Sequence, residues 1–442
     1  MSARKILLSL LSLLSLSCFA KTPVIEHWQG NGGVNVYFVE SHELPIVDLQ
    51  LILDAGSARD PAGKFGLAAL TSSLIGEGAA GRDANTISYE FERLGAVFSS
   101  DSGYDSASIS LRSLSDRDKL RAALENLKLV AGRPDFPDKA VERQRNRMLT
   151  GIAYKQQSPG ELASDSFFAA VYGDHPYAHP REGTEQSVKA LTREDVLDFY
   201  RRYYVTGNAT FAIVGDLSRA QARRIANELA AVLHKGRAPA PLPVVSALAQ
   251  GREIRVNHPS AQTHIITGQP GIKWGDPDYF PLYVGNHILG GGGLVSVLNE
   301  DIRESHGLAY SVYSFFSPMR ARGPFMAGLQ TRNDKADVAL KLLRDDIHAF
   351  IDKGPSAKQL DDSKKNITGG FPLRFDSNRD ILGYAGVIGF YKLPLNFLDT
   401  FSDKVMAVTI DDIRKAFQRR LVQDKMITVI VGPEQQAAAH AK

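Results

Sequence analysis

Few residues in this chain could do chemistry, and most of those stand in unpromising company. His175 and His179 are four apart, the interval that puts two ligands on one helix face, but Pro176 and Pro180 forbid that helix. A structured turn is expected there, with a loop zinc pair as the alternative. His264, His287 and His306 have no partners at ligand spacing, and His42-Glu43 falls in a predicted, solvated hairpin turn. Gly76 to Gly81 spells G-x-G-x-x-G, yet it follows a helical stretch where a dinucleotide site needs a strand, so a flexible helix-to-helix turn is expected. The run Gly290 to Gly293 lacks the Lys and Ser/Thr of a phosphate loop. Its glycines mean that backbone approaches something closely or that the loop moves. No G-x-S-x-G elbow or S-x-x-K pair occurs. What remains is residues 302–313, where Arg303 and Tyr310 offer a guanidinium and a phenol, two donors able to hold a carbonyl or an oxyanion.

The rest of the chain must position those groups. It has 442 residues, 43% hydrophobic and 23% charged, ample for more than one core and unlike a disordered or multi-span membrane chain. Arg4 and Lys5, an apolar stretch over 6–16 and Cys18-Phe19-Ala20 before Lys21 read as a signal peptide over 1–20, which implies a periplasmic location. A lipidated Cys18 is not expected, because Ser15 occupies the place of an aliphatic residue. Cys18 is also the only cysteine, so the mature chain has no disulfide and no thiolate ligand. Removing Arg4 and Lys5 leaves 50 basic against 49 acidic residues, too even a balance to attract nucleic acid. No later stretch is long enough to span a membrane.

The chain repeats itself. Thr192 with Glu194 and Asp195 opens an amphipathic helix to about 204, followed by a strand over 209–214 closed by Gly215. Thr409 with Asp411 and Asp412 opens another, followed by a strand over 426–431 closed by Gly432. Both threonines stand 23 residues before their glycine, an offset of 217 that points to duplication. A helix over 119–130 with Asp138 capping the next, and a helix over 335–351 with Ser356 and Gln359 in capping-box spacing, repeat at 218. The turns 94–99 and 306–311 also correspond. Strands over 34–39, 47–53 and 107–111 come in pairs, which favours an α+β fold of two halves, each an antiparallel sheet with helices packed on it. The halves are expected at 21–233 and 252–434, with a proline-bearing linker over 234–251 and a frayed tail over 435–442.

The stretch Ile302-Arg303-Glu304, then Gly307-Leu308-Ala309-Tyr310-Ser311-Val312, resembles the C-terminal half of insulinase/pitrilysin-type zinc peptidases, including the mitochondrial processing peptidase group. His175-Pro176-Tyr177 and the duplicated halves fit as well, and the likeness covers essentially the whole mature chain. It implies a clam-shell arrangement of the halves, with Arg303 and Tyr310 as catalytic and substrate-binding donors and Gly291, Gly292 and Gly293 beside the substrate. It also implies an H-x-x-E-H zinc motif after Gly66-Leu67-Ala68. Ala69 and Ser73 stand instead at the histidine positions, Ser72 at the general base and Gly151 at the third ligand. None can hold zinc or act as a base near neutral pH. The family contains a two-chain arrangement in which one chain supplies zinc and base and a zinc-less sister supplies arginine and tyrosine. This sequence looks like that sister: no cofactor of its own, zinc in a homologous partner, and a peptide or unfolded protein as substrate. The alternative is an inert peptide-binding or assembly protein. Read singly, Arg303 suits a surface ion pair with Glu300, and Tyr310 a core aromatic on a strand.

Overall fold

The computed structural model describes residues 22–434. The expected leader with Cys18 and the expected tail over 435–442 lie outside the described residues.

The first half contains β1 (Glu26–Gln29), β2 (Asn35–Glu40), β3 (Ile46–Leu53), a small hairpin of β4 (Gly78–Ala79) and β5 (Arg82–Asp83), then β6 (Val97–Ser102), β7 (Ala107–Leu114), β8 (Val205–Gly207), β9 (Ala209–Gly215) and β10 (His234–Arg237). The second contains β11 (Arg252–Asn257), β12 (Gln262–Pro270), β13 (Ala309–Phe316), β14 (Pro324–Arg332) and β15 (Ile427–Gly432). The main sheets run β1-β2-β9-β3-β7-β6 and β11-β15-β12-β14-β13. Apart from β1, the two orders correspond strand for strand, so the duplication read from residue spacing is also a duplication of topology. Each sheet is antiparallel except for one pair, β2 with β9 and β11 with β15, which the expectation of purely antiparallel halves lacked.

Local chemistry places the helices. Thr192 and Thr409 cap the Arg193–Tyr203 and Ile410–Arg420 helices, each in a reciprocal box with the aspartate three residues on. Ser356 and Gln359 form the same device. Asp138 does not cap its helix; it is the first helical residue after Pro137.

The helices also cross between halves. All seven residues of β9 and all six of β15 are buried, as in a strand covered on both faces. One face of each sheet packs on helices of its own half. The other face of the first sheet is covered by Asn378–Tyr391, where Ala385 and Ile388 join Tyr37, Val39, Ala212 and Val214 in one core. In return Pro159–Tyr172 covers the second sheet, where Ala163, Phe167 and Val171 meet Ile266, Met326 and Val429. The contact is close: a Cβ at Gly389 would lie 2.6 Å from the Tyr37 ring.

Two further expectations change and a third stands. His42 is not in a hairpin, because β9 separates β2 from β3; its ring bridges Asp216 and Glu40 at 2.6 and 2.8 Å. The linker begins as β10, paired in parallel with β8, and Val245 within it is buried. Gly76 to Gly81 forms the approach and turn of the β4–β5 hairpin, so the turn reading stands and a nucleotide cradle does not.

Candidate functional site

The positions that would hold zinc lie on two helices packed against each other, Leu67–Leu74 and Asp138–Lys155. Gly66 precedes the first with φ of +92°, a conformation that suits glycine. Its amide and that of Ala68 donate to the Asp60 carboxylate at 2.7 and 2.8 Å, which fixes the start of the helix. Ser72 is buried, its hydroxyl 2.9 Å from that of Ser100 on β6, and Ser73 donates to the Leu70 carbonyl at 2.8 Å. Gly151 is exposed, with open space where a side chain would stand. Ala69, Ser72, Ser73 and Gly151 thus present two hydroxyls already in use and two positions with no donor atom, a set that does not fit zinc. Among the described residues no group of three or more His, Cys, Asp or Glu could hold a metal.

The two histidines spaced like ligands do not share a helix face. Pro176–Ala178 is a 3₁₀ turn, the structured turn expected from the prolines. His175 contacts the Pro243 carbonyl at 3.1 Å and accepts the Tyr177 amide at 3.2 Å, while His179 stacks on Phe65 at 4.2 Å between centroids. Burial lowers the pKa of both rings.

Arg303 and Tyr310 do come together. Arg303 lies in the helical turn Asn299–Ser305, and its guanidinium carbon sits 5.3 Å over the Tyr310 ring. Its nearest carboxylate is Glu304 at 3.5 Å, not Glu300. Tyr310 is 78% exposed and so is no core aromatic. The cause is a bulge: Ala309 pairs with Thr331 and Ser311 with Gln330, which leaves Tyr310 unpaired between them. A bulge re-aims a side chain out of the regular alternation. The Tyr310 hydroxyl makes no hydrogen bond among the described residues.

Two asparagines that the sequence reading missed hold this edge strand in place. Asn286 donates to the Ser314 carbonyl at 3.0 Å and accepts the Ser314 hydroxyl at 2.8 Å; Asn299 donates to the Val312 carbonyl at 2.9 Å. Only their juxtaposition with β13 identifies them, since asparagine in a helix carries no signal of its own. Gly290 lets the turn approach β13 so closely that a Cβ would be 2.5 Å from the Ser314 amide.

Arg303 and Tyr310 flank a groove of about 940 Å³. Gly291 and Gly293 line it, whereas Gly292 turns back on the His287 carbonyl, which a Cβ would meet at 2.6 Å. Tyr279, Tyr283, Tyr313 and Phe315 supply apolar wall, and its charged groups are Arg303 and Arg374 with no carboxylate among the described lining residues. An extended peptide could lay side chains on the aromatic wall and carbonyls on the two donors.

Comparison with known proteins agrees with this architecture. The model for Insulinase (Peptidase family M16) matches residues 35–185, and that for the Peptidase M16 inactive domain matches 190–367. A crystal structure of a peptidase M16 inactive domain from Pseudomonas fluorescens superposes with a TM-score of 0.90 at 41% identity, over 93% of this chain and 98% of that one. A Helicobacter pylori protein named non-peptidase homolog YmxG is 26% identical over 384 residues, 86% of this chain and 87% of its own. An uncharacterized zinc protease of Rickettsia felis is 27% identical over 319 residues, 71% of this chain and 76% of its own. Fold, duplication and matched sequence converge: the chain belongs to the peptidase M16, or insulinase, family.

Proposed function

We propose that this chain is the metal-free subunit of a two-chain periplasmic zinc endopeptidase. A homologous sister with H-x-x-E-H supplies zinc and general base, and Arg303 and Tyr310 of this chain engage the peptide. The guanidinium holds a substrate carbonyl, and the exposed phenol donates to the oxyanion as water attacks the scissile bond. One observation carries the reading: the pair is stacked and outward-facing over an aromatic groove, on a chain whose own metal positions are Ala69, Ser72, Ser73 and Gly151.

The test is reconstitution. Alone, the protein should neither retain stoichiometric zinc nor cut an unfolded peptide; mixed with the zinc-motif sister, it should. Tyr310→Phe or Arg303→Ala should then lower kcat about 10²- to 10³-fold without dissociating the pair. Activity that both substitutions leave unchanged overturns the donor role. The Helicobacter relative's name, non-peptidase homolog, favours a second reading, an inert peptide-binding or assembly protein. On that reading peptide binds in the groove and no mixture turns it over.

A further inference from the structure

A second cavity, of about 780 Å³, opens where the two halves meet the linker. It is lined by Asp54 and Arg59 from the first half, by Lys273, Arg320, Arg322 and Lys392 from the second, and by linker residues over 238–245. Five cations therefore face one carboxylate. That carboxylate is already taken: Arg59 grips Asp54 with two donors, each at 2.7 Å, and gives its third to the Ala240 carbonyl at 2.8 Å. Arg320 approaches Asp54 only to 3.4 Å.

Beyond that longer Arg320 contact, the other cations have no second carboxylate among the cavity's described lining residues. Arg322 spends its donors on the Gly271 and Pro270 carbonyls at 3.0 and 2.8 Å. Burial, and after it the nearby Arg420, lower its pKa. Arg320 lies 4.2 Å over the Phe390 ring, and its buried Nε has no hydrogen-bond acceptor. Lys273 and Lys392 make no ion pair among the described residues. Lys392 also occupies the left-handed position that ends the Asn378–Tyr391 helix, with φ of +56°. Glycine is the ordinary residue there, because a side chain strains the backbone in that conformation. The fold bears that strain and places one more positive charge at the rim. Like charges gathered in a concave, partly dry site repel until an anion completes it.

We propose that this cavity binds a phosphate-class polyanion, a diphosphate or triphosphate either free or carried on an organic molecule. Its cationic floor holds the phosphoryl oxygens, and Leu242 and Val244 of the linker form an apolar wall beside them. A bound anion would touch both halves and the linker together.

Calorimetric titration of the full chain at fixed ionic strength, with inorganic pyrophosphate and with ADP as separate probes, tests this. Saturable one-site binding is expected. Lys273→Gln with Lys392→Gln, both at exposed residues, should weaken it at least tenfold, as should Arg320→Gln. Equal affinity for both probes assigns recognition to the free diphosphate group; ADP binding tenfold tighter assigns an organic phosphate. Absence of saturable binding of either probe at millimolar concentration overturns the proposal, and so does unchanged affinity in the folded double lysine variant.

Discussion

Replacing Asp105 by alanine should loosen the seam between the halves more than any surface change. Asp105 is 5% exposed and lies between β6 and β7. Its carboxylate accepts the Tyr177 hydroxyl from its own half. From the other half it accepts the Tyr391 hydroxyl at 3.0 Å and the Arg320 amide at 2.7 Å. The Tyr177 oxygen in turn accepts the Ala321 amide at 3.1 Å. Alanine strands three donors, and a buried donor without an acceptor costs about 1–3 kcal/mol. With some relief from entering water, the loss should be about 3–5 kcal/mol, a large part of the roughly 5–15 kcal/mol that holds a typical domain. Urea unfolding can read it half by half, because the two tryptophans, Trp28 and Trp274, fall one in each half. Both should report one shared transition at a lower midpoint. Tyr391→Phe should cost about 1 kcal/mol in the parent and nearly nothing beside Ala at 105, since partners in one network are not additive. A loss below about 1 kcal/mol, or full additivity of the two changes, refutes the assigned network.

Other substitutions test separate links. Ala69→His, Ser73→His and Gly151→Glu together should bind zinc measurably in equilibrium dialysis where the parent does not; failure would unseat the alignment of these positions with the zinc motif. Gly389→Ala pushes a methyl into the Tyr37 ring and should cost about 1–3 kcal/mol, seen as a lower melting temperature. Hydrogen bonds to Asp216 and Glu40 raise the His42 pKa, so its contribution to stability is full below the ordinary imidazole value and lost as pH rises through the folded one. NMR titration of its ring should give a midpoint above that of a free histidine, and Asp216→Asn should bring it back down.

Much of this architecture is legible in local pattern. The paired threonine caps, their first-turn acids and the glycine-closed strands announce the duplication because capping and periodicity are properties of neighbouring residues. That Ala69, Ser72, Ser73 and Gly151 offer no zinc ligand set is legible for the same reason: ligand chemistry is fixed by residue type. Exchange of the Pro159–Tyr172 and Asn378–Tyr391 helices is not, since an apolar stripe records that a face is buried and not by which sheet. His42 misled because two consecutive strands look like a hairpin unless a third, here β9 from far along the chain, inserts between them. Taken singly, Tyr310 suited a core aromatic because strand alternation fixes a residue's face only in the absence of a bulge. The five cations around the linker cavity come from four separate places in the sequence and become a cluster only on folding.

The reciprocal loan of helices bears on how such a chain could arise. A single half standing alone would leave one whole side of its sheet wet, and strands as uniformly apolar as β9 and β15 could not tolerate that. An unduplicated ancestor could cover that side only by trading helices with a second copy of itself. Fusion of two such copies would turn a bargain between two molecules into a bond within one, leaving each half free to diverge while neither can leave.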